Sequence, residues 1–182
     1  MSVDVLEEIL HPKSIAVVGA SGNPMAWGYS YTSHLLDYGY RGKIYPVNPN
    51  YPEILGIKTY PSLRDIPGSV DYVISCIRAS QVLGLLEDCS QKGVKAVHLY
   101  TARFSETGRE DAAELEQEIL KLARKLGIRL IGPNCMGVYY PREGISFFGN
   151  MPTESGSVGV VSQSGQAARA ASRVIDYYQR RK

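Results

Sequence analysis

A glycine-bearing turn, Gly19-Ala20-Ser21-Gly22-Asn23-Pro24-Met25-Ala26-Trp27-Gly28, follows a short apolar run and precedes a helical one. In that position backbone N–H groups and a helix N-terminus can cradle phosphate. A plain strand-to-helix turn would read the same way. Two familiar nucleotide patterns are missing: the spacing is not G-x-G-x-x-G, and no G-x-x-x-x-G-K-[ST] occurs. A dinucleotide site also wants an Asp or Glu after the second strand, where the ribose hydroxyls bind. There the chain reads Tyr45-Pro46-Val47-Asn48-Pro49-Asn50, with no acid. A phosphate-bearing nucleotide is the expected ligand, and NAD is disfavoured.

The other reactive side chains do not form a constellation. His11, His34 and His98 are scattered, and His98 lies inside an apolar run, where a satisfied core histidine is expected rather than a catalyst. Cys76, Cys89 and Cys135 are far apart with no CxxC pairing. That spacing excludes a disulfide scaffold or a Cys-rich zinc site, and no metal site is expected.

The elements that must hold the turn are readable from periodicity. Runs at 14–18, 43–47, 71–77, 94–100 and 128–131 are rich in Val and Ile and bounded by Gly, Pro or Asn, as for buried parallel strands. Helices are expected near 29–38, 79–92 and 109–126. In the last, Ala112, Leu115, Ile119, Leu122 and Leu126 recur at steps of three and four, and Gly127 supplies the stop. The alternation predicts an α/β fold with an open, doubly wound, mostly parallel sheet. Residues 142–156 lack periodicity and read as a linker after a domain at 1–141. Residues 157–161 read as a further strand, followed by Ser162-Gln163-Ser164-Gly165 and an Ala-rich helix. The unit at 157–182 is too small to bury its own faces, so it either joins the first sheet or opens a second domain.

Composition bounds the class. The chain has 182 residues, 44% hydrophobic, with Lys+Arg 20 against Asp+Glu 18. That balance argues against a disordered chain and a dedicated nucleic-acid binder. No apolar run is long enough for a membrane span, and the first ten residues lack a basic n-region. A cytoplasmic protein without nucleic-acid or membrane partners is expected.

Three segments in order carry a specific resemblance. Ser14-Ile-Ala-Val-Val-Gly-Ala-Ser21, Gly42-Lys-Ile-Tyr-Pro-Val-Asn-Pro49 and Gly127-Ile-Arg-Leu-Ile-Gly-Pro-Asn-Cys-Met-Gly137 resemble the coenzyme A-binding domain of the NDP-forming acyl-CoA synthetases. That group includes ADP-forming acetate–CoA ligase and relatives of the succinyl-CoA ligase α subunit. The resemblance runs over roughly residues 5–178 and implies a Rossmann-like domain that binds CoA or acyl-CoA. It implies that Gly19, Ser21, Gly22, Asn23 and Pro24 wrap the CoA phosphates, with Asn48, Pro49 and Asn50 at the nucleotide end. Cys76, Ile77, Arg78 and Ala79 would line the adenosine side. Tyr100, Thr101, Ala102 and Arg103 would lie near the pantetheine, and Asn134 and Cys135 beside the thiol. Gly159-Val-Val-Ser-Gln-Ser-Gly165 resembles the start of a flavodoxin-like second domain, in which Ser162, Ser164 and Gly165 would face a phosphohistidine.

Two positions depart from the family. Arg78 stands where Pro is usual and Arg103 where Gly is usual, and a basic residue is frequent at the place of Asn50. The arginines either contact an anionic ligand or are solvated. The resemblance implies a partner chain or domain carrying the phosphohistidine and an ATP-grasp fold, and it allows a homo-oligomer. No catalytic residue is assigned within this chain. Three functions stay open: a CoA-binding part of an acyl-CoA synthetase, a standalone CoA-binding regulator or carrier, and, less favoured, an NAD-dependent enzyme.

Overall fold

The computed structural model describes residues 3–181. Five parallel strands form one sheet: β1 (Ser14–Val18), β2 (Lys43–Val47), β5 (Tyr72–Ser75), β6 (Ala96–Leu99) and β7 (Arg129–Ile131), in the order β2-β1-β5-β6-β7. A separate two-stranded hairpin, β3 (Glu53–Ile54) and β4 (Ile57–Lys58), follows β2. The helices are α1 (Val3–Leu10), α2 (Trp27–Asp37), α3 (Val82–Gln91), α4 (Glu110–Leu126) and α5 (Gly165–Gln179).

Both faces of the sheet are buried at its centre because the inner strands are largely apolar while their side chains alternate. Ala16 and Val18 of β1, with Val73 of β5 and Val97 and Leu99 of β6, pack under α3 and α4. Ile15 and Val17, with Tyr72, Ile74 and Ala96, pack on the opposite face with Tyr31 and Leu35 of α2. Helix α4 has Glu110 and Asp111 in its first turn, Arg124 and Lys125 in its last, and Gly127 at φ +70° as its stop. Those charges complement the helix dipole.

The chain winds one way from β1 to β2, then crosses to β5 on the other side of β1. The strand order therefore reverses between β1 and β5. In open α/β sheets, ligands bind in the crevice outside the carboxyl ends of the strands at this point.

Several expectations need correction. Residues 142–156 are not a loose linker, because Ile145, Phe147 and Met151 are buried against the α2 face. Tyr38 Oη accepts from Met151 N at 2.6 Å and donates to Met151 O at 3.1 Å, which pins the segment. Residues 157–161 form no strand. Val158, Val160 and Val161 are exposed, and residues 157–161 pair with no strand among the described residues. Helix α1 and the short hairpin were not expected.

Candidate functional site at the carboxyl edge of the sheet

The turn after β1 is shaped by close backbone contacts. Gly19 has φ +87°, and a Cβ there would lie 2.7 Å from Cys76 O. A Cβ on Gly28 would fall 2.0 Å from Gly19 O. Only glycine lets the head of α2 close onto the start of its own loop and onto the end of β5. Ser21 Oγ accepts from Asn23 N at 3.1 Å, and Asn23 Oδ1 accepts from Met25 N at 3.0 Å. These side chains stiffen the turn from within. No side chain caps α2, and the N–H groups of Ser21, Gly22, Trp27 and Gly28 make no hydrogen bond among the described residues. A set of free donors at a helix head is suited to a phosphate group.

The loop after β2 is tied to this turn. Asn48 Nδ2 donates to Ala20 O at 2.7 Å, while its Oδ1 accepts from Asn50 N at 2.9 Å. Asn48 thus positions the turn, and Pro49 and Asn50 stay exposed beside it. Pro24 is exposed at the tip.

Across the switch point, Cys76 N donates to Val18 O at 2.8 Å, which seats Cys76 and Ile77 beside Gly19. Burial pushes the Cys76 thiol up to about 12, so it stays protonated and unreactive near neutrality. Ser75 and Thr101, both buried, meet hydroxyl to hydroxyl at 3.1 Å, and Thr101 Oγ1 donates to Ile77 O at 2.9 Å. This clamp fixes the loop after β5 against the loop after β6, which carries Tyr100, Ala102 and Arg103.

Arg78 and Arg103 are both exposed, and neither forms an ion pair among the described residues. Arg103 takes φ +75°, the left-handed conformation that glycine would supply without strain. Glu106 holds it there, accepting from Arg103 N at 2.6 Å and Phe104 N at 2.9 Å. Beside it an open groove of about 460 Å³ is lined by Ala79, Ser80, Arg103, Arg109 and Leu115.

The loop after β7 lies on the end of β6. Asn134 N donates to Thr101 O at 2.9 Å, and Cys135 N to Leu99 O at 3.3 Å. His98 is buried, with Nε2 2.7 Å from Cys135 O. Burial pushes its pKa down to about 4, against the smaller opposing effect of that hydrogen bond. It is a neutral core histidine that donates to a carbonyl, and Gly137 makes room for its ring.

The terminal turn reaches the same edge. Ser164 caps α5 by accepting from Ala167 N at 3.3 Å, and Ser162 Oγ donates to Ser164 O at 3.0 Å. A Cβ on Gly165 would strike Met136 Cγ at 2.3 Å, so the head of α5 rests against the 134–137 loop. Tyr31 and Phe148, which no sequence motif marks, join Trp27 and Tyr100 in one aromatic group. Trp27 lies 4.8 Å from Tyr100 and 6.2 Å from Phe148, centroid to centroid. Its ring seals the head of α2 on one side and is 39% exposed on the other.

Residues 13–141, spanning the turn, the strand ends and the 134–137 loop, match the family model described as a CoA binding domain. The chain belongs to this CoA-binding family. It is 42% identical over 165 residues to the α subunit of acetate–CoA ligase [ADP-forming] I of Pyrococcus furiosus, covering 88% of this chain and 36% of that one. It is 41% identical over 162 residues to acetate–CoA ligase [ADP-forming] II of Archaeoglobus fulgidus, covering 88% of this chain and 24% of the relative. Among solved structures, the acetyl-coenzyme A synthetase 1 of Ca. Korarchaeum cryptofilum, in complex with phosphate and ADP, superposes with a TM-score of 0.81 at 38% identity. It covers 93% of this chain and 36% of that one. The fold is therefore that of the CoA-binding domains of acyl-CoA synthetases, and the chain spans a quarter to about a third of the length of these relatives. No described helix is long and apolar enough to cross a membrane.

Proposed function

We propose that this CoA-binding chain seats CoA, or an acyl-CoA, across the carboxyl edge of the sheet as part of an ADP-forming acyl-CoA synthetase. The observation that carries the reading is the uncapped head of α2. Its free N–H groups, with those of Ser21 and Gly22, stand at the β1/β5 switch point, and residues 48–52, directly after β2, include no acid. The pyrophosphate lies over residues 19–28. Asn48, Pro49 and Asn50 flank the nucleotide end, and Cys76, Ile77 and Arg78 flank the adenosine. Arg78 supplies the cation for the 3′-phosphate that Asn50 does not. The pantetheine arm follows Tyr100, Thr101, Ala102 and Arg103 to a thiol end at Asn134 and Cys135.

Residues 157–182 are read as the opening of a second domain whose turn at 162–165 receives a phosphohistidine. The contact of Gly165 with Met136 supports this, since it sets the turn next to the thiol end. The histidine and the nucleotide-binding half would come from a partner domain or chain. None of the three histidines here is placed for phosphoryl relay: His98 is buried, His34 lies in the last turn of α2 with its Nδ1 buried, and His11 pairs with Glu143 at 2.9 Å at the far end of the molecule. By itself the chain is expected to bind CoA without making acyl-CoA. Native mass spectrometry of the purified chain tests the reading. Retained CoA, displaced by added acetyl-CoA, is expected; retained NAD would sink it.

A further inference from the structure

The turn after β1 holds three glycines, Gly19, Gly22 and Gly28, and what each must avoid differs. At Gly19 and Gly28 an added Cβ would strike backbone, Cys76 O at 2.7 Å and Gly19 O at 2.0 Å. Gly22 meets no backbone. Its φ lies outside the left-handed region, so its conformation suits an alanine equally well. A Cβ there would instead meet the ring of Tyr51, 2.9 Å from Cε1, 3.3 Å from Cδ1 and 3.6 Å from Cζ. The first distance is well inside the separation at which carbon atoms attract. The edge of one aromatic ring therefore fills the space that a side chain at 22 would take.

Tyr51 comes from a different loop, the one after β2, and the chain is pinned on either side of it. Asn50 N donates to Asn48 Oδ1 at 2.9 Å, and Thr59 N donates to Pro52 O at 3.0 Å. The ring is half-buried and packs on the α2-face core, so swinging it aside would forfeit that packing. Asn48 Nδ2, bonded to Ala20 O at 2.7 Å, is the polar half of the same junction. The loop after β2 thus grips the turn at Ala20 and again at Gly22. Between and at these grips lie the N–H groups of Ser21 and Gly22, which make no hydrogen bond among the described residues.

We infer that Tyr51 is a positioning residue for ligand binding. Its ring holds Gly22 so that the Ser21 and Gly22 N–H groups stay directed at the phosphate. Glycine is required at 22 by this ring, and not by the backbone or the ligand. The ring does this and the hydroxyl does not. The inference rests on the proposed seat of the CoA pyrophosphate over residues 19–28.

A double-mutant cycle on the intact chain tests it, with CoA affinity read by titration calorimetry and urea denaturation showing that each variant folds. Gly22→Ala should weaken CoA roughly tenfold or more, the scale of one charged hydrogen bond lost as the turn shifts off the ring. In the Tyr51→Ala background the same change should alter affinity less than about threefold, because the ring it would strike is gone. Tyr51→Ala by itself should weaken CoA about three- to tenfold through lost preorganisation, and Tyr51→Phe should recover most of that loss. Should the alanine variant not fold, Tyr51→Val, which also lacks the ring atoms facing Gly22, completes the cycle. An equal factor for Gly22→Ala in both backgrounds overturns the inference, as does a Gly22→Ala chain that binds CoA normally. Equal losses in Tyr51→Phe and Tyr51→Ala overturn it too, by moving the role to the hydroxyl. Each of these results leaves the function proposed above standing, whereas failure of the unaltered chain to bind CoA overturns that function.

Discussion

The turn at 19–28 and the turn at 162–165 carry similar chemistry on very different foundations. Each is a short glycine- and serine-bearing loop that opens a helix. The first follows β1, where Ile15, Ala16 and Val17 are all 0% exposed, and its Gly19 and Gly28 are locked against backbone. The second follows a segment in which Val161 is 103% exposed, and helix α5 has no buried residue. A site that must hold a ligand alone is built into the two-sided core. One that is read as meeting a second protein surface sits on an element whose apolar side, including Val174 and Tyr178, faces outward. The difference lies in packing and not in turn chemistry.

Glycine substitutions should separate the two regions most sharply. Gly28→Val places a Cβ against the backbone of Gly19. It should cost about 3 kcal/mol of stability and abolish CoA binding, since backbone cannot rotate away as a side chain can. Gly159→Val, with nothing within 4 Å of its Cβ, should change stability by less than about 0.5 kcal/mol. Urea denaturation of both proteins measures this. Equal effects would erase the distinction.

Acid should attack the core side of the comparison through His98. Its pKa is lowered from 6.5 to about 4 by burial, so folding favours the neutral ring. That contribution is complete above about pH 6.5 and is lost as pH falls toward 4, because only the unfolded chain takes up the proton readily. Between pH 7.5 and 4.5 the loss should be about 2–3 kcal/mol. His98→Gln, which can still donate to Cys135 O, should show a shallower decline in urea midpoints over the same range. An identical decline would remove His98 from the account.

A smaller effect sharpens the ligand side. Arg78→Ala should weaken CoA by about 2 kcal/mol, the scale of one hydrogen bond to a charged group. It should leave dephospho-CoA nearly unchanged if the guanidinium meets the 3′-phosphate. Loss of the same size for both ligands would move Arg78 elsewhere. The smallest effect concerns backbone. Arg103→Gly should raise stability by about 0.5–1 kcal/mol by relieving a residue at φ +75°. A decrease would mean that the arginine side chain offsets the strain.

The sheet was legible because the strands are short runs rich in Val and Ile, and the β1 turn because glycine punctuates it. The tail strand misled for a physical reason. Val158, Val160 and Val161 have strand propensity, but propensity forms no strand without a neighbour to share hydrogen bonds. The segment at 142–156 hid its core role because Ile145, Phe147 and Met151 keep no single period; they are buried by a wrapped loop. Part of the site was equally hidden. Ser75, Thr101 and Glu106 fix the loops through bonds between distant stretches, and the Trp27, Tyr100 and Phe148 group spans more than a hundred residues of sequence. Local pattern cannot bring such residues together.

Titration calorimetry with CoA, dephospho-CoA and NAD on the intact chain tests the central claim most directly. CoA should bind tightest, dephospho-CoA more weakly for want of the 3′-phosphate, and NAD least, with all binding lost in Gly28→Val. Tighter binding of NAD than of CoA, or CoA affinity unaltered in Gly28→Val, would contradict it.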